Sequence, residues 1–146
     1  MTTMRFRLAT AMLLLAATVG CSEQTDALRE AEERVSEESQ RLDSELAQAR
    51  RDLEALAPDL RTEADRGLER AAQATTEAQQ ALDNAGGQLD DAARRELQRG
   101  EGQLAAAEED IRAITPALPQ QVQGAFEDVQ QRLASLRDRV EKALGG

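Results

Sequence analysis

The segment 122–143 reads VQGAFEDVQQRLASLRDRVEKA, and it shows most clearly the pattern that runs through the chain. Its apolar residues alternate spacings of four and three without a break, which places them along one face of an α-helix. The segment therefore predicts a long amphipathic helix that packs against other helices. Six of these residues form a candidate interaction stripe for a partner: Val122, Phe126, Val129, Leu133, Leu136 and Val140.

The same heptad periodicity extends upstream. In the first part of the chain, two apolar rows repeat every seven residues and are offset by four: Leu28, Val35, Leu42, Ala49 and Leu56, and then Leu46, Leu53 and Leu60. Two further stripes follow, with a shift of one residue at Gly86-Gly87: Leu68, Ala71, Thr75, Ala78, Leu82, Ala85 and Leu89, and then Ala93, Leu97, Gly100, Leu104, Ala107, Ile111, Ile114 and Leu118. Heptads of this kind predict helix-on-helix packing.

Proline and glycine divide the chain into four predicted helical segments, at about 23–57, 59–85, 88–114 and 119–144. The breaks lie at Pro58, at Asn84 to Gly87 and at Thr115 to Pro119. Pro58 is compatible with either a turn or a kink, because proline is tolerated in the first turn of a helix but not in its interior. We therefore expect an all-α fold over residues 25–146, either an antiparallel up-down helical bundle or a coiled coil of three to four long helices.

The second segment is rich in alanine, and its apolar stripe is thin. A thin stripe buries little apolar area, so a protein partner or a second copy is expected to complete the core. Gly100 and Gly102 make the third segment the least secure helix, since each costs roughly 1 kcal/mol relative to alanine inside a helix.

The N-terminus has the pattern of a secretion signal. Leu8 to Val19 is uncharged and mostly apolar, Arg5 and Arg7 precede it, and Gly20 and Cys21 follow. The apolar run is shorter than the ~20 residues of a permanent transmembrane helix. Residues 1–20 are therefore predicted to be a signal peptide.

This stretch resembles the lipobox of bacterial lipoproteins, with Gly20 and Cys21 in the matching positions and Thr18 where that family usually has leucine. The resemblance implies cleavage between Gly20 and Cys21 and lipid attachment at Cys21, with residues 21–24 as a lipidated N-terminus and short tether. It also implies anchoring to a membrane of the bacterial envelope. Ser22 in place of aspartate favours the periplasmic face of the outer membrane over the inner membrane.

Charge and composition exclude several classes of function. The chain has 18 basic and 28 acidic residues, a net charge of −10, and cleavage before Cys21 would remove Arg5 and Arg7 and leave −12. Such a surface repels nucleic acid, which is bound by excess Lys and Arg. The absence of histidine, the single cysteine and the single lysine, Lys142, argue against catalysis. We expect no enzyme, no cofactor, no metal and no small-molecule substrate.

Most of the charges are expected to lie on solvated helix faces. Acidic residues precede basic residues by four positions in five pairs: Glu30 with Arg34, Glu37 with Arg41, Glu108 with Arg112, Asp128 with Arg132 and Asp138 with Lys142. Each such pair adds about 0.2–0.5 kcal/mol to an exposed helix.

The favoured function is a non-catalytic envelope lipoprotein, a helical scaffold, spacer or docking module with a protein partner or self-association through its helices. It loosely resembles the small coiled-coil murein lipoproteins, whose wall-linking lysine is C-terminal, whereas this chain ends Lys142-Ala143-Leu144-Gly145-Gly146. The alternative is an amphipathic-helix carrier of lipids or other amphiphiles. Helices of that kind usually place Lys and Arg beside Trp or Phe, and Phe126 is the only aromatic residue after the signal.

Overall fold

The structure, a computed structural model, describes residues 18–145, with side chains for Glu23 and for residues 25–145. Within this range the chain forms four α-helices, α1 (Thr18–Leu53), α2 (Pro58–Ala85), α3 (Asp91–Ile114) and α4 (Gln120–Ala143), and a short 3₁₀ helix, Thr115–Ala117, between α3 and α4. The prediction of an all-α helical bundle is confirmed.

Short connections make the four helices antiparallel. Each helix packs against its two neighbours in the order α1, α2, α3, α4 and back to α1, so the helices enclose one core. The N-terminal end of the bundle holds the start of α1, the α2–α3 connection and the end of α4. There, a Cβ added at Gly87 would lie 3.1 Å from Thr25 Cγ2, so the two residues are close neighbours. Arg94 Nη1 donates to the Leu144 carbonyl at 3.4 Å. The distal end holds the other two connections.

The connections follow from local chemistry. Pro58 is the first residue of α2, directly after the turn 54–57, so it marks a turn and not a kink. Gly86 and Gly87 both have positive φ, 56° and 81°, a conformation that favours glycine where α2 ends. Asp90 caps α3 by accepting a hydrogen bond from the Ala93 N–H at 2.8 Å.

The core consists of the predicted heptad rows. Leu28, Val35, Leu42, Ala49, Leu46 and Leu53 of α1 are buried, whereas Leu56 and Leu60 are only partly buried. The candidate interaction stripe lies in the core as well: Val122, Phe126, Val129, Leu133, Leu136 and Val140 are each 0–3 % exposed. Because helices of the same chain cover this stripe, it is not a free surface for a partner in this fold, and that expectation is corrected.

The alanine-rich face of α2 is covered by a close approach of α3. A Cβ added at Gly100 would lie 3.2 Å from the Cα of Ala78, so the two backbones are nearly in contact. Small residues on both helices make this approach possible, and α3 continues through Gly100 and Gly102 without interruption. Among the described residues, helices of the same chain therefore close the core, and the expected partner or second copy stays a prediction.

The N-terminal predictions fall largely on the edge of the described range. Residues 1–17 of the predicted signal peptide lie outside it. The backbone of Gly20 and Cys21 lies in the first turn of α1, and residues 21–24 are helical, so the short tether expected there continues directly into the bundle. None of the helices in the described part of the chain is long and apolar enough to cross a membrane.

Candidate functional site

The lipid-attachment candidate lies at one end of a long helix. Cys21 is in the first turn of α1, and the helix runs from there to Leu53 without a break. At 1.5 Å per residue these two positions are about 48 Å apart along the axis. A lipid on Cys21 would thus hold the N-terminal end of the bundle at the membrane and place the distal end about 50 Å from it.

Two arginines of α4 hold α1 through a buried carboxylate. Glu38 is 4 % exposed. Arg132 Nη1 and Arg139 Nη2 each donate to it at 3.2 Å, one to each carboxylate oxygen. Arg41, on α1 itself, lies at 3.6 Å. A carboxylate this deeply buried requires such partners, because an unpaired buried charge is strongly destabilising.

The network extends by one heptad through Glu45. Arg132 Nε donates to Glu45 Oε1 at 2.9 Å. This hydrogen bond, with the negative charges of Glu45 and Glu38, raises the pKa of Arg132 above its ordinary value, so the guanidinium stays charged. Two buried atoms in the same seam, Glu45 Oε2 and Arg139 Nε, have no hydrogen-bond partner. The seam is therefore ionic but not fully satisfied.

A second buried carboxylate joins α3 to α4. Glu108 is 6 % exposed; its two oxygens accept from Arg112 Nη2 at 2.9 Å and from Arg137 Nη1 at 2.8 Å. Arg132, Arg137 and Arg139 all belong to α4. This helix therefore contacts both of its neighbours, α1 and α3, through charge-assisted hydrogen bonds.

These contacts correct the predicted charge pairs. The pairs Glu30 with Arg34, Glu108 with Arg112 and Asp138 with Lys142 are present. Arg41 contacts Glu38 instead of the predicted Glu37. Arg132 contacts Glu38 and Glu45 instead of the predicted Asp128. The expectation of solvated faces fails for Glu38 and Glu108, because the neighbouring helix covers both.

The sequence contained a pattern that could have revealed the network. Glu38 and Glu45 are seven residues apart, and so are Arg132 and Arg139. Charges that repeat with the heptad beside an apolar seam commonly pair between helices. Pairs four residues apart within one helix do not reveal this pattern.

A polar groove of about 590 Å³ separates α1 from α2 near the N-terminal end. Glu32 of α1 and Asp83 of α2 face each other across it, and Arg29, Glu33 and Glu37 also line it. The pKa of the Glu32 carboxyl is raised, first by burial and then by the hydrogen bond and the negative charge of Asp83. The Glu32 carboxyl therefore binds its proton more tightly than an isolated glutamate side chain would.

The described residues hold few groups arranged for chemistry. The hydroxyls of Ser39, Thr75 and Thr115 donate to carbonyls of their own helical turns, at 2.7, 2.8 and 2.7 Å. Among the residues with described side chains, no three histidine, cysteine or carboxylate groups are placed to hold a metal ion.

Two stretches at the distal end carry no charge, although Glu54, Asp59 and Arg61 lie beside them. Residues 113–126 and 55–58 contain no charged residue, in a chain where 32 % of the residues are charged. Pro116, Ala117 and Pro119 are exposed there.

A comparison of the chain with protein-family models, with curated proteins and with solved structures finds no match.

Proposed function

We propose that this chain is a lipid-anchored lipoprotein of the bacterial envelope, and that its four-helix bundle is a non-catalytic scaffold, spacer or docking module. The observation that supports the proposal most is Cys21, the only cysteine, directly behind an uncharged apolar run and Gly20. In this proposal Cys21 is the first residue of the mature protein and carries the lipid. The module lies on the periplasmic face of the outer membrane.

The continuity of α1 determines how a lipid on Cys21 would be connected to the bundle. Because α1 is helical from Cys21 to Leu53, a lipid on Cys21 would be joined to the bundle by helix alone. The bundle would then extend from the membrane, with its distal end up to about 50 Å away. A spacer or a docking module requires this kind of fixed separation between its anchor and its outer end.

The proposal of a non-catalytic role rests on the residue inventory. The chain has no histidine, and the hydroxyls of Ser39, Thr75 and Thr115 are engaged with backbone carbonyls. Nucleophilic catalysis needs a base beside a free nucleophile. A partner protein or a second copy would contact exposed residues of the bundle, since the stripe first considered for that role is internal.

The experiment that tests the proposal is fractionation of cells that express the full chain or its Cys21→Ser variant. We expect the full chain in the membrane fraction, with the mass of a Cys21 N-terminus plus acyl chains, and the variant in the soluble fraction or as uncleaved precursor. Cys21 in unmodified form, or a cleaved variant bound as tightly as the parent, would refute the anchor. Ser22→Asp is the variant for sorting, and it should move the protein toward the inner membrane.

A flotation assay separates this proposal from the amphiphile carrier. The chain from Ser22 onward, without lipid, contains every buried core residue among the described side chains. When it is mixed with liposomes, a scaffold should stay in solution because its apolar residues are internal. A carrier should float with the lipid, which would refute the scaffold.

A further inference from the structure

The ion pairs between α4 and its neighbours lie at fixed heptad positions beside the core. In a heptad labelled a to g, the a and d residues form the buried face of a helix, and the e and g residues lie on its two sides. Four charged residues of the α1/α4 seam each directly precede a buried a residue and are therefore at position g: Glu38, Glu45, Arg132 and Arg139. Because the arginines donate to the glutamates, the g side of α1 faces the g side of α4.

The ion pair with α3 lies on the other side of α4. On α4, Arg137 directly follows the buried Leu136. On α3, Glu108 directly follows the buried Ala107, so both charged residues are at position e. Arg137 Nη1 donates to Glu108 at 2.8 Å. The e side of α4 therefore faces the e side of α3.

The two sides of α2 differ from those of α4 in charge. The g row of α2 consists of Gly67, Ala74 and Ala81, and its e row consists of Asp65, Ala72 and Gln79. The g row faces α3, since a Cβ added at Gly67 would lie 2.9 Å from Ile114 Cδ1. The e row faces α1, since Gln79 lines one groove with Ser36. Neither row contains an arginine or a lysine that could pair with a buried glutamate.

A bundle of four antiparallel helices with short connections can turn clockwise or anticlockwise when it is viewed from one end. Both turns give each helix the same neighbours and bury the same a and d residues, so apolar packing alone distinguishes them only weakly. The turns differ in which side of each helix faces which neighbour. In the opposite turn, the g side of α1 would face the g row of α2, and the e side of α3 would face the e row of α2.

The glutamates of the network have the arginines of α4 as partners in only one of the two turns. In the opposite turn, Glu38 and Glu45 would face the g row of α2, and Glu108 would face its e row. Glu38 and Glu108 would retain Arg41 and Arg112 of their own helices and lose the arginines of α4. A buried carboxylate that loses a partner is strongly destabilising, because its charge is no longer compensated.

The network adds less to the stability of the observed turn. Buried ion pairs are often no more stabilising than apolar side chains of similar volume, because both charges lose their hydration. Here Glu45 Oε2 and Arg139 Nε are buried without a hydrogen-bond partner, and a partly satisfied network is a poor source of stability. The largest energetic effect of these charges is therefore on the opposite turn.

We propose that the buried ion pairs of α4 determine the direction in which this bundle turns, because only the observed turn gives Glu38 and Glu108 the arginines of α4. The a and d residues drive the four helices together, and the charged g and e residues choose between the two turns.

The test removes the charges and keeps the approximate side-chain volume in the full chain, solubilised in detergent. The apolar variant combines six changes: Glu38→Leu, Glu45→Leu, Glu108→Leu, Arg132→Met, Arg137→Met and Arg139→Met. The readout is the amide and methyl NMR spectrum of each protein. Ala31, at a g position of α1, lines one groove with Ala143 of α4. A nuclear Overhauser contact from the Ala31 methyl group to α4 therefore reports the observed turn, and one to Ala81 of α2 reports the opposite turn.

We expect the parent to give one set of amide peaks, with Ala31 contacts to α4. The apolar variant should unfold at a urea concentration no lower than the parent does, and it should show a second set of peaks with Ala31 contacts to α2. The matched control, Arg70→Met with Asp110→Leu, removes an exposed ion pair between α2 and α3 and should keep the single set. A single set from the apolar variant, with Ala31 contacts to α4 alone, would overturn the proposal.

A second variant keeps the test decisive if the apolar variant aggregates. It carries glutamine at the same six positions, which removes every charge of the network and leaves the surface polar. Cooperative urea unfolding and a helical circular dichroism spectrum establish that it folds. A second set of peaks with Ala31 contacts to α2 is again the expected result, and one set with contacts to α4 alone would again overturn the proposal.

Discussion

Two glycines in α3 show how much the surroundings of a single residue decide its effect. Gly100 faces α2, and an added Cβ there would lie 3.2 Å from the Cα of Ala78. Gly102, two residues on in the same helix, has open space where its Cβ would be. The helix propensity of the two positions is the same, so they differ only in packing.

Opposite changes in stability are expected when each glycine is replaced by alanine. Gly100→Ala should lower the free energy of unfolding by about 1–3 kcal/mol, because the backbone of α2 must move to admit the methyl group. Gly102→Ala should raise it by up to about 1 kcal/mol through helix propensity. Urea unfolding followed by circular dichroism measures both, and a stabilising Gly100→Ala would show that the two helices are not in close contact.

Among the elements, α4 has the largest part in holding the bundle together. Its arginines reach α1 through Glu38 and Glu45 and α3 through Glu108, whereas its apolar stripe fills the core. Buried ion pairs add little net stability relative to apolar packing, but breaking one by removing a single partner is costly.

Glu38→Ala should therefore lower the free energy of unfolding far more than removal of an exposed glutamate from an ion pair does. It leaves Arg132 and Arg139 without their shared partner, and we expect a loss of about 2–4 kcal/mol, discounted for the partial exposure of the arginines. Glu30→Ala removes the exposed partner of Arg34 and should cost no more than about 1 kcal/mol. Thermal unfolding of the two variants decides the matter, since equal small losses would mean that the α1/α4 seam does not depend on its ion pairs.

The sequence predicted the helices well and the contacts between them only partly. Heptad spacing and the breaks at Pro58, Gly86 and Pro119 predicted four helices, because these signals are local. The burial of Glu38 and Glu108 was not predicted, because it depends on which helix lies opposite, and that is not a local property. The Cys21 hypothesis came from the sequence alone and remains a prediction.

For the whole molecule, we expect a monomer with a closed core. In the described part of the chain the helices bury their stripes against one another, so we expect the chain from Ser22 onward to fold without a second copy.

Small-angle scattering with light-scattering mass on that chain should give one copy and a radius of gyration within a few ångströms of the roughly 14 Å expected for a compact domain of this length. A mass of two or three chains with a radius of several tens of ångströms would contradict the bundle and favour the coiled coil between subunits.

An even number of antiparallel helices brings the start of α1 and the end of α4 to the same end, where Arg94 Nη1 donates to the Leu144 carbonyl and Thr25 lies beside Gly87. Under the proposed anchoring, a fluorescent or affinity tag fused after Gly146 would be crowded against the lipid surface. The same tag inserted between Thr115 and Pro119 would project into the surrounding space. Antibody binding to the two tags on permeabilised envelopes should therefore differ. That difference would report the orientation of the molecule.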